Sequence, residues 1–281
     1  MELAANLGYL EKRRGTTERR TVEECAKIVK QAGFNYIDLD TVRYTKGDDW
    51  KDNILKTKEI LDKTGLMVEQ THEPSNWLDH PAEEYKEIMK RAFEVSKIAG
   101  AKNIIIHADK YLPDENGYDP DKASATVYEF YAPFVEYAIN NNLGVAIENL
   151  FEGDKTKRAR YTSKIEEQLA IIKKFDHPLV TACWDFGHGQ ASYGKGSLEQ
   201  MKKLGSLLTS THVHDNIYQL DLHGDIFSGE IDWETAMKYL REIGYKGKFT
   251  LEPVYGSYPD GFVQEHMKHV YKTAKFVVDN F

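Results

Sequence analysis

Apolar residues run along this chain in two alternating rhythms. Short apolar runs recur at 3–7, 36–39, 67–71, 103–107, 144–148, 179–185, 211–214 and 248–252. Each has the density of Val, Ile, Leu and Ala expected of a buried strand. Between them lie stretches with apolar residues at helical spacing. "TVEECAKIVKQAG" puts Val22, Cys25, Ala26 and Val29 on one face and stops at Gly33, a good helix-terminating residue. "PAEEYKEIMKRAFEVSKIAG" opens on Pro81 and two acids and ends at Gly100, a helix-start and helix-stop pair. "TSKIEEQLAIIKKF" carries Ile165, Leu169 and Ile172 behind Thr162 or Ser163 as expected cap. "DWETAMKYLREIG" runs from the acidic cap Asp232 to Gly244, and "FVQEHMKHVYKTAKFV" closes the chain.

Strands that alternate with helices predict an α/β fold with a parallel sheet, because each crossover helix must cover a face of it. Eight such units in 281 residues fit a single (β/α)8 TIM barrel spanning 1–281. The competing architecture is an open doubly wound sheet, but no GxGxxG follows the first strand.

Net charge is −8, which argues against a protein whose affinity comes from neutralising phosphates, so no nucleic-acid partner is expected. The one basic cluster, Lys155 to Arg158 with Arg160 nearby, reads as a solvated loop. The glycine-rich "GHGQASYGKGS" with Lys195 reads as a mobile loop rather than a phosphate cradle. Cys25 and Cys183 lack CxxC spacing and read as small buried hydrophobes. The start has no secretory pattern and no stretch reaches membrane-spanning length, so a cytoplasmic location without membrane contact is expected.

The barrel rule places active sites at the carboxyl ends of the strands, and there the sequence is unusually polar. Four runs close on Glu148, Asp185, His212 and Glu252. Three carboxylates and an imidazole converging on one rim repel one another unless a cation holds them, so these four are the expected metal ligands. Mixed oxygen and nitrogen donors without cysteine suit Mn²⁺, Mg²⁺, Co²⁺ or Zn²⁺. Further histidines fall at strand ends or just beyond: His72, His107, His188, His214 and His223, with Asp221. They are candidates for extra metal ligands or for substrate contacts. His212 and His214, two apart on one strand, are expected on the same side. His80, His177, His266 and His269 read as surface or capping residues. Tyr9 and Trp77 lie past strand ends and are candidates for a wall against a sugar's apolar face. Trp184 and Trp233 read as core.

These strand-end residues resemble those of the xylose-isomerase-like barrels, a family of sugar epimerases and isomerases, inosose dehydratases and endonuclease-four-type AP endonucleases. The resemblance covers essentially the whole chain. In the ketose 3-epimerase branch it implies Glu148, Asp185, His212 and Glu252 as metal ligands, the two glutamates as the proton-transfer pair, and His188 and His214 as substrate contacts. "HVHDN…DLHGDIFSGEIDW" is similar to the family's stretch after the seventh strand, although the arginine that the 3-epimerases carry there is missing. The AP endonucleases imply three zincs on nine ligands, matched by His72, His107, Glu148, Asp185, His188, His212, Asp221, His223 and Glu252, so a second or third metal stays open. Their basic DNA-gripping loops have no counterpart in the acidic or neutral turns here.

The resulting expectation is a metal-dependent sugar isomerase or epimerase working through an enediolate next to a carbonyl, with Glu148 and Glu252 moving the proton. The alternatives are a lyase or dehydratase on an inosose or keto-glycoside and, with less support, a multinuclear zinc AP endonuclease. The substrate is expected to be a small carbohydrate. The family also implies a homo-oligomer.

Overall fold

A computed structural model describes residues 1–75, 77–152, 160–254 and 258–281. Eight strands form one parallel sheet: β1 (Leu3–Asn6), β2 (Tyr36–Asp40), β3 (Met67–His72), β4 (Asn103–Ile106), β5 (Gly144–Glu148), β6 (Val180–Asp185), β7 (Leu208–His212) and β8 (Phe249–Leu251). They follow chain order from β1 to β7, with β8 on the other side of β1. The ring closes just beyond β7. Val213 donates its N–H to Thr250 O at 2.7 Å and accepts from Glu252 N at 2.9 Å. The fold is a TIM barrel.

The helices are α1 (Gly8–Glu11), α2 (Val22–Ala32), α3 (Trp50–Thr64), α4 (Ala82–Ala99), α5 (Pro120–Asn140), α6 (Ile165–Phe175), α7 (Phe186–Tyr193), α8 (Ser197–Lys202), α9 (Trp233–Glu242) and α10 (Asp260–Asn280). Their ends follow local chemistry. Thr21 and Glu24 form a reciprocal capping box on α2, and Gly33 ends it at φ 118°, a backbone state that suits glycine. Asp232 caps α9 by accepting from Thr235 N. Neither Thr162 nor Ser163 caps α6: the cap position falls on Lys164 with no side-chain bond. The two hydroxyls are used elsewhere, Thr162 on Glu148 O and Ser163 on Glu152.

Strand alternation divides each strand between two surroundings. Ile37 and Leu39, Ile104 and Ile106, Val145 and Ile147, and Ala182 and Trp184 join the main hydrophobic core. The intervening residues line the barrel axis. There Ile105, Ala146 and Cys183 make a small apolar plug, and Asn103 reaches across to Ser210 Oγ at 3.1 Å. Above the plug the axis turns polar, and that upper layer carries the chemistry. Cys25, Cys183, Trp184 and Trp233 are all buried, as expected.

Three expectations are corrected here. β7 begins at Leu208, so His212 ends it and His214 lies past it, although both rings are fully buried. The glycine-rich segment is helical (α7, a turn, then α8) and its first five residues are buried. Its glycines mark close packing: a methyl on Gly189 would strike the Trp184 ring. His266 is not a surface residue; it is buried, 2.8 Å from Asp225 Oδ2, with its ring against Tyr258. The basic stretch Lys155 to Arg158 lies outside the described residues, while Arg160 pairs with Asp109 at 2.9 Å. Among the described residues no helix is long and apolar enough to cross a membrane.

Candidate active site at the carboxyl rim

Glu148 ends β5 at the centre of the polar layer. Its Oε2 lies 3.0 Å from His107 Nε2, 3.3 Å from His212 Nδ1 and 3.6 Å from His72 Nε2, and its Oε1 lies 2.9 Å from His188 Nδ1. Asp185 ends β6 and caps α7 by accepting from His188 N at 2.6 Å. It also lies 3.2 Å from His214 Nε2 and 3.8 Å from His212 Nδ1. Glu252, just past β8, approaches the opposite edge of His212, with Oε1 3.7 Å from Nε2. His212 therefore links all four expected ligands, with Glu148 and Asp185 at one ring nitrogen and Glu252 at the other. It is completely buried, and neither nitrogen makes a hydrogen bond among the described residues.

The remaining candidates gather at the same pole. His214 and His223 stack at 4.0 Å, and Asp221 Oδ2 lies 3.6 Å from His223 Nε2 and 3.8 Å from His188 Nε2. Tyr9, on α1 directly after β1, brings its hydroxyl to 3.5 Å from His223 Nε2. Trp77 is partly buried against the core, with Lys110 Nζ 6.0 Å from its ring. Donor atoms close enough to share an ion divide into overlapping groups: Asp38, His72, His212 and Glu252; His72, His107 and Glu148; Glu148, Asp185 and His188; and His214, Asp221 and His223.

Packed carboxylates and imidazoles perturb one another. Burial raises the Glu148 carboxyl, but His212 and His107 outweigh it and hold it well below the usual range. Asp185 is lowered in the same way, against burial, by His188 and His214. Burial opposes charge on His188, yet Asp185 and Glu148 hold it up at about 10. His223 is held at about 9, with Asp221 outweighing burial. His72 is raised against burial chiefly by Asp38. Without a metal, protons on imidazole compensate the carboxylates. A divalent ion can replace those protons, because neutral imidazole and ionised carboxylate are the forms that ligate. The buried, hydrogen-bond-free nitrogens of His212 and the mixed donor set fit such an ion.

Supporting residues lock the layer, and strand-end reasoning missed them. Asp38 on β2 accepts from Gln70 Nε2 at 3.0 Å and lies 3.0 Å from His72 Nδ1. Glu73 accepts from His107 N, Lys110 Nζ and the Tyr131 hydroxyl. Asn149 exchanges two hydrogen bonds with the Asp185 backbone. Asp215 accepts from Asn216 N and Ile231 N at Oδ1, and from Phe227 N and Trp233 Nε1 at Oδ2. It thereby ties down the loop that carries Asp221 and His223. Phe151 stacks on His188 at 4.9 Å.

Residues 26–273 match the family described as xylose isomerase-like TIM barrel. The chain belongs to the xylose isomerase-like TIM barrel family. A curated relative in Sinorhizobium fredii, the uncharacterized protein y4fM, is 20% identical over 80% of this chain and 78% of its own length. Among solved structures, D-psicose 3-epimerase from Clostridium cellulolyticum H10 superposes with TM-score 0.77 at 16% identity, covering 99% of both chains. The 3-keto-D-glucoside 4-epimerase of E. coli gives TM-score 0.74 at 15% identity, covering 97% of this chain and 99% of that one. At these identities the likeness to the solved members of the family is one of fold.

Proposed function

We propose that this chain is a divalent-metal-dependent sugar isomerase or epimerase. One observation carries the reading. A fully buried imidazole, His212, has no hydrogen bond at either nitrogen among the described residues and stands among carboxylates from β5, β6 and the end of β8. Glu148, Asp185, His212 and Glu252 would hold the ion. When bound, it supplies Lewis acidity that acidifies the C–H next to a sugar carbonyl.

The protein's own groups account for the proton. Glu148 and Glu252 face opposite nitrogens of His212, so they approach the edge of that ring from two sides. One takes the proton from the carbon, and the other returns one to the opposite face. Each is fixed from behind, Glu148 by His107 and His188 and Glu252 by Asn6 Nδ2 at 2.9 Å. His188 and His214 are assigned to substrate hydroxyls, and Tyr9 to the wall beside them. The fold neighbours are epimerases of D-psicose and of a 3-keto-D-glucoside, which supports a ketose or keto-glycoside as substrate.

A second reading has an observation of its own. The donors separate into groups that include His72, His107 and Glu148 on one side and His214, Asp221 and His223 on another, which supports more than one bound ion. Elimination from the same intermediate would give a lyase. The deciding experiment is incubation in D₂O with Mn²⁺ and a panel of ketoses, inososes and keto-glycosides. Deuterium entering the carbon next to the carbonyl is expected. Water or aglycone loss in its place would favour the lyase, and no exchange into any sugar would refute the reading.

A further inference from the structure

Asp38 does not sit at a strand end. It lies two residues below the end of β2, is completely buried, and faces the barrel axis between Ile37 and Leu39, which join the core. Its Oδ2 gathers four neighbours: Gln70 Nε2 at 3.0 Å, His72 Nδ1 at 3.0 Å, Asn6 Nδ2 at 3.5 Å and, more distantly, His212 Nε2 at 3.7 Å. Asn6 Nδ2 also reaches Glu252 Oε1 at 2.9 Å. A continuous polar belt thus runs beneath the rim from β3 through β2 and β1 to the end of β8.

A carboxylate can only accept, so the Asp38 contact requires the His72 proton on Nδ1. The other nitrogen, Nε2, then points to Glu148 Oε2 at 3.6 Å, with the His107 ring 5.5 Å away and the His212 ring stacked at 4.4 Å. A buried carboxylate on the far nitrogen of a ligating imidazole is the arrangement that fixes tautomer and ring plane in metal sites, and its loss costs about 10–100-fold in metal affinity. We propose that Asp38 is a positioning residue: it holds His72 in the Nδ1–H form and delivers Nε2 to the group made with His107 and Glu148. This inference rests on the metal reading above. It goes further by assigning His72 to an ion-facing role set from beneath by a residue that touches no substrate.

The test uses the whole chain and Mn²⁺ or Zn²⁺ as probe. Metal affinity is measured for wild type, Asp38→Asn, His72→Ala and the double variant. Asp38→Asn is expected to weaken binding by about 10–100-fold in the wild-type background and by far less in the His72→Ala background, because its shorter imidazole contact is to that ring, 3.0 Å against 3.7 Å to His212. An equal loss in both backgrounds, or wild-type affinity in Asp38→Asn, overturns the proposal. A second measurement needs no variant: nitrogen-15 NMR of His72 in the metal-free wild type, at a pH where the ring is neutral. A proton on Nδ1 is expected, and a proton on Nε2 overturns the assignment even if Asp38→Asn fails to fold. A wild type that takes up neither ion would refute the metal reading, while the NMR result would still decide whether Asp38 sets the His72 tautomer.

Discussion

Gly187→Ala adds one methyl to the second residue of α7, where the helix passes the buried His214. The new Cβ would lie 2.5 Å from His214 Nε2 and closer still to the rest of the ring edge, so the imidazole must retreat by roughly 1 Å or more to ordinary contact. It has no free direction. His214 is fully buried, lies 3.2 Å from Asp185 at Nε2, and has His223 stacked at 4.0 Å. Overpacking of this kind costs about 1–3 kcal/mol, or a fall in Tm of about 2–10 °C for a chain of this size. A displacement of about 1 Å in a reacting constellation costs on the order of 10²-fold in rate. The expected result is therefore a folded variant, modestly less stable, with deuterium exchange into the best sugar down about a hundredfold. Gly196→Ala is the control: it adds the same methyl at the start of α8, where none of the described residues comes within 4 Å, and should match wild type in both assays. Wild-type exchange and melting in Gly187→Ala would refute the packing argument and the place of His214 in the site.

Three further outcomes follow from the same geometry. Glu148→Gln and Glu252→Gln should each lower exchange by about 10²–10⁴-fold or more while circular dichroism stays native; full activity in both would end their assignment as the proton-transfer pair. Metal affinity should rise with pH up to about 9–10, with proton release on binding, because His188 and His223 are held at about 10 and about 9 in the metal-free chain. Their raised values stabilise the metal-free fold fully below the ordinary value of 6.5, and that contribution is lost as pH rises through 9–10. A pH-independent affinity, measured by calorimetry in buffers of different ionisation enthalpy, would contradict this. Asp215→Asn turns an NH₂ against two donors whichever way the amide faces. With charge-assisted bonds at about 1.5–3 kcal/mol each, it should cost about 3 kcal/mol or more and raise hydrogen exchange across 216–231; an unchanged Tm would refute the clasp.

The barrel and its strand-end residues were legible because parallel strands bury both faces. An apolar run that stops at a single acid or histidine then stands out. What lay within a strand did not. Asp38 in "YIDLD" reads as an interruption, yet the alternation of Ile37 and Leu39 with it marks the axis-facing side. The start of β7 was hidden by Thr209, Ser210 and Thr211, polar residues whose hydroxyls bond inside the barrel wall, Thr209 to Thr181 and Ser210 to Asn103. Glycines in 187–189 looked like flexibility, but they are spacers that let α7 pass His214 and Trp184. His266 shares a helix face with Val263, Met267 and Val270, all buried, so periodicity could have flagged it as interior. The clasps by Glu73 and Asp215 were not legible, since both depend on backbone N–H groups whose positions only the folded loops define.

Glu148, Asp185, His212 and Glu252 are proposed to share one divalent ion. Anomalous diffraction from crystals grown with Mn²⁺ would locate it. A manganese peak is expected within bonding distance of those four side chains, with any further peak beside His72 and His107 or beside Asp221 and His223. Well-ordered side chains with no anomalous density among them at saturating Mn²⁺ would contradict it.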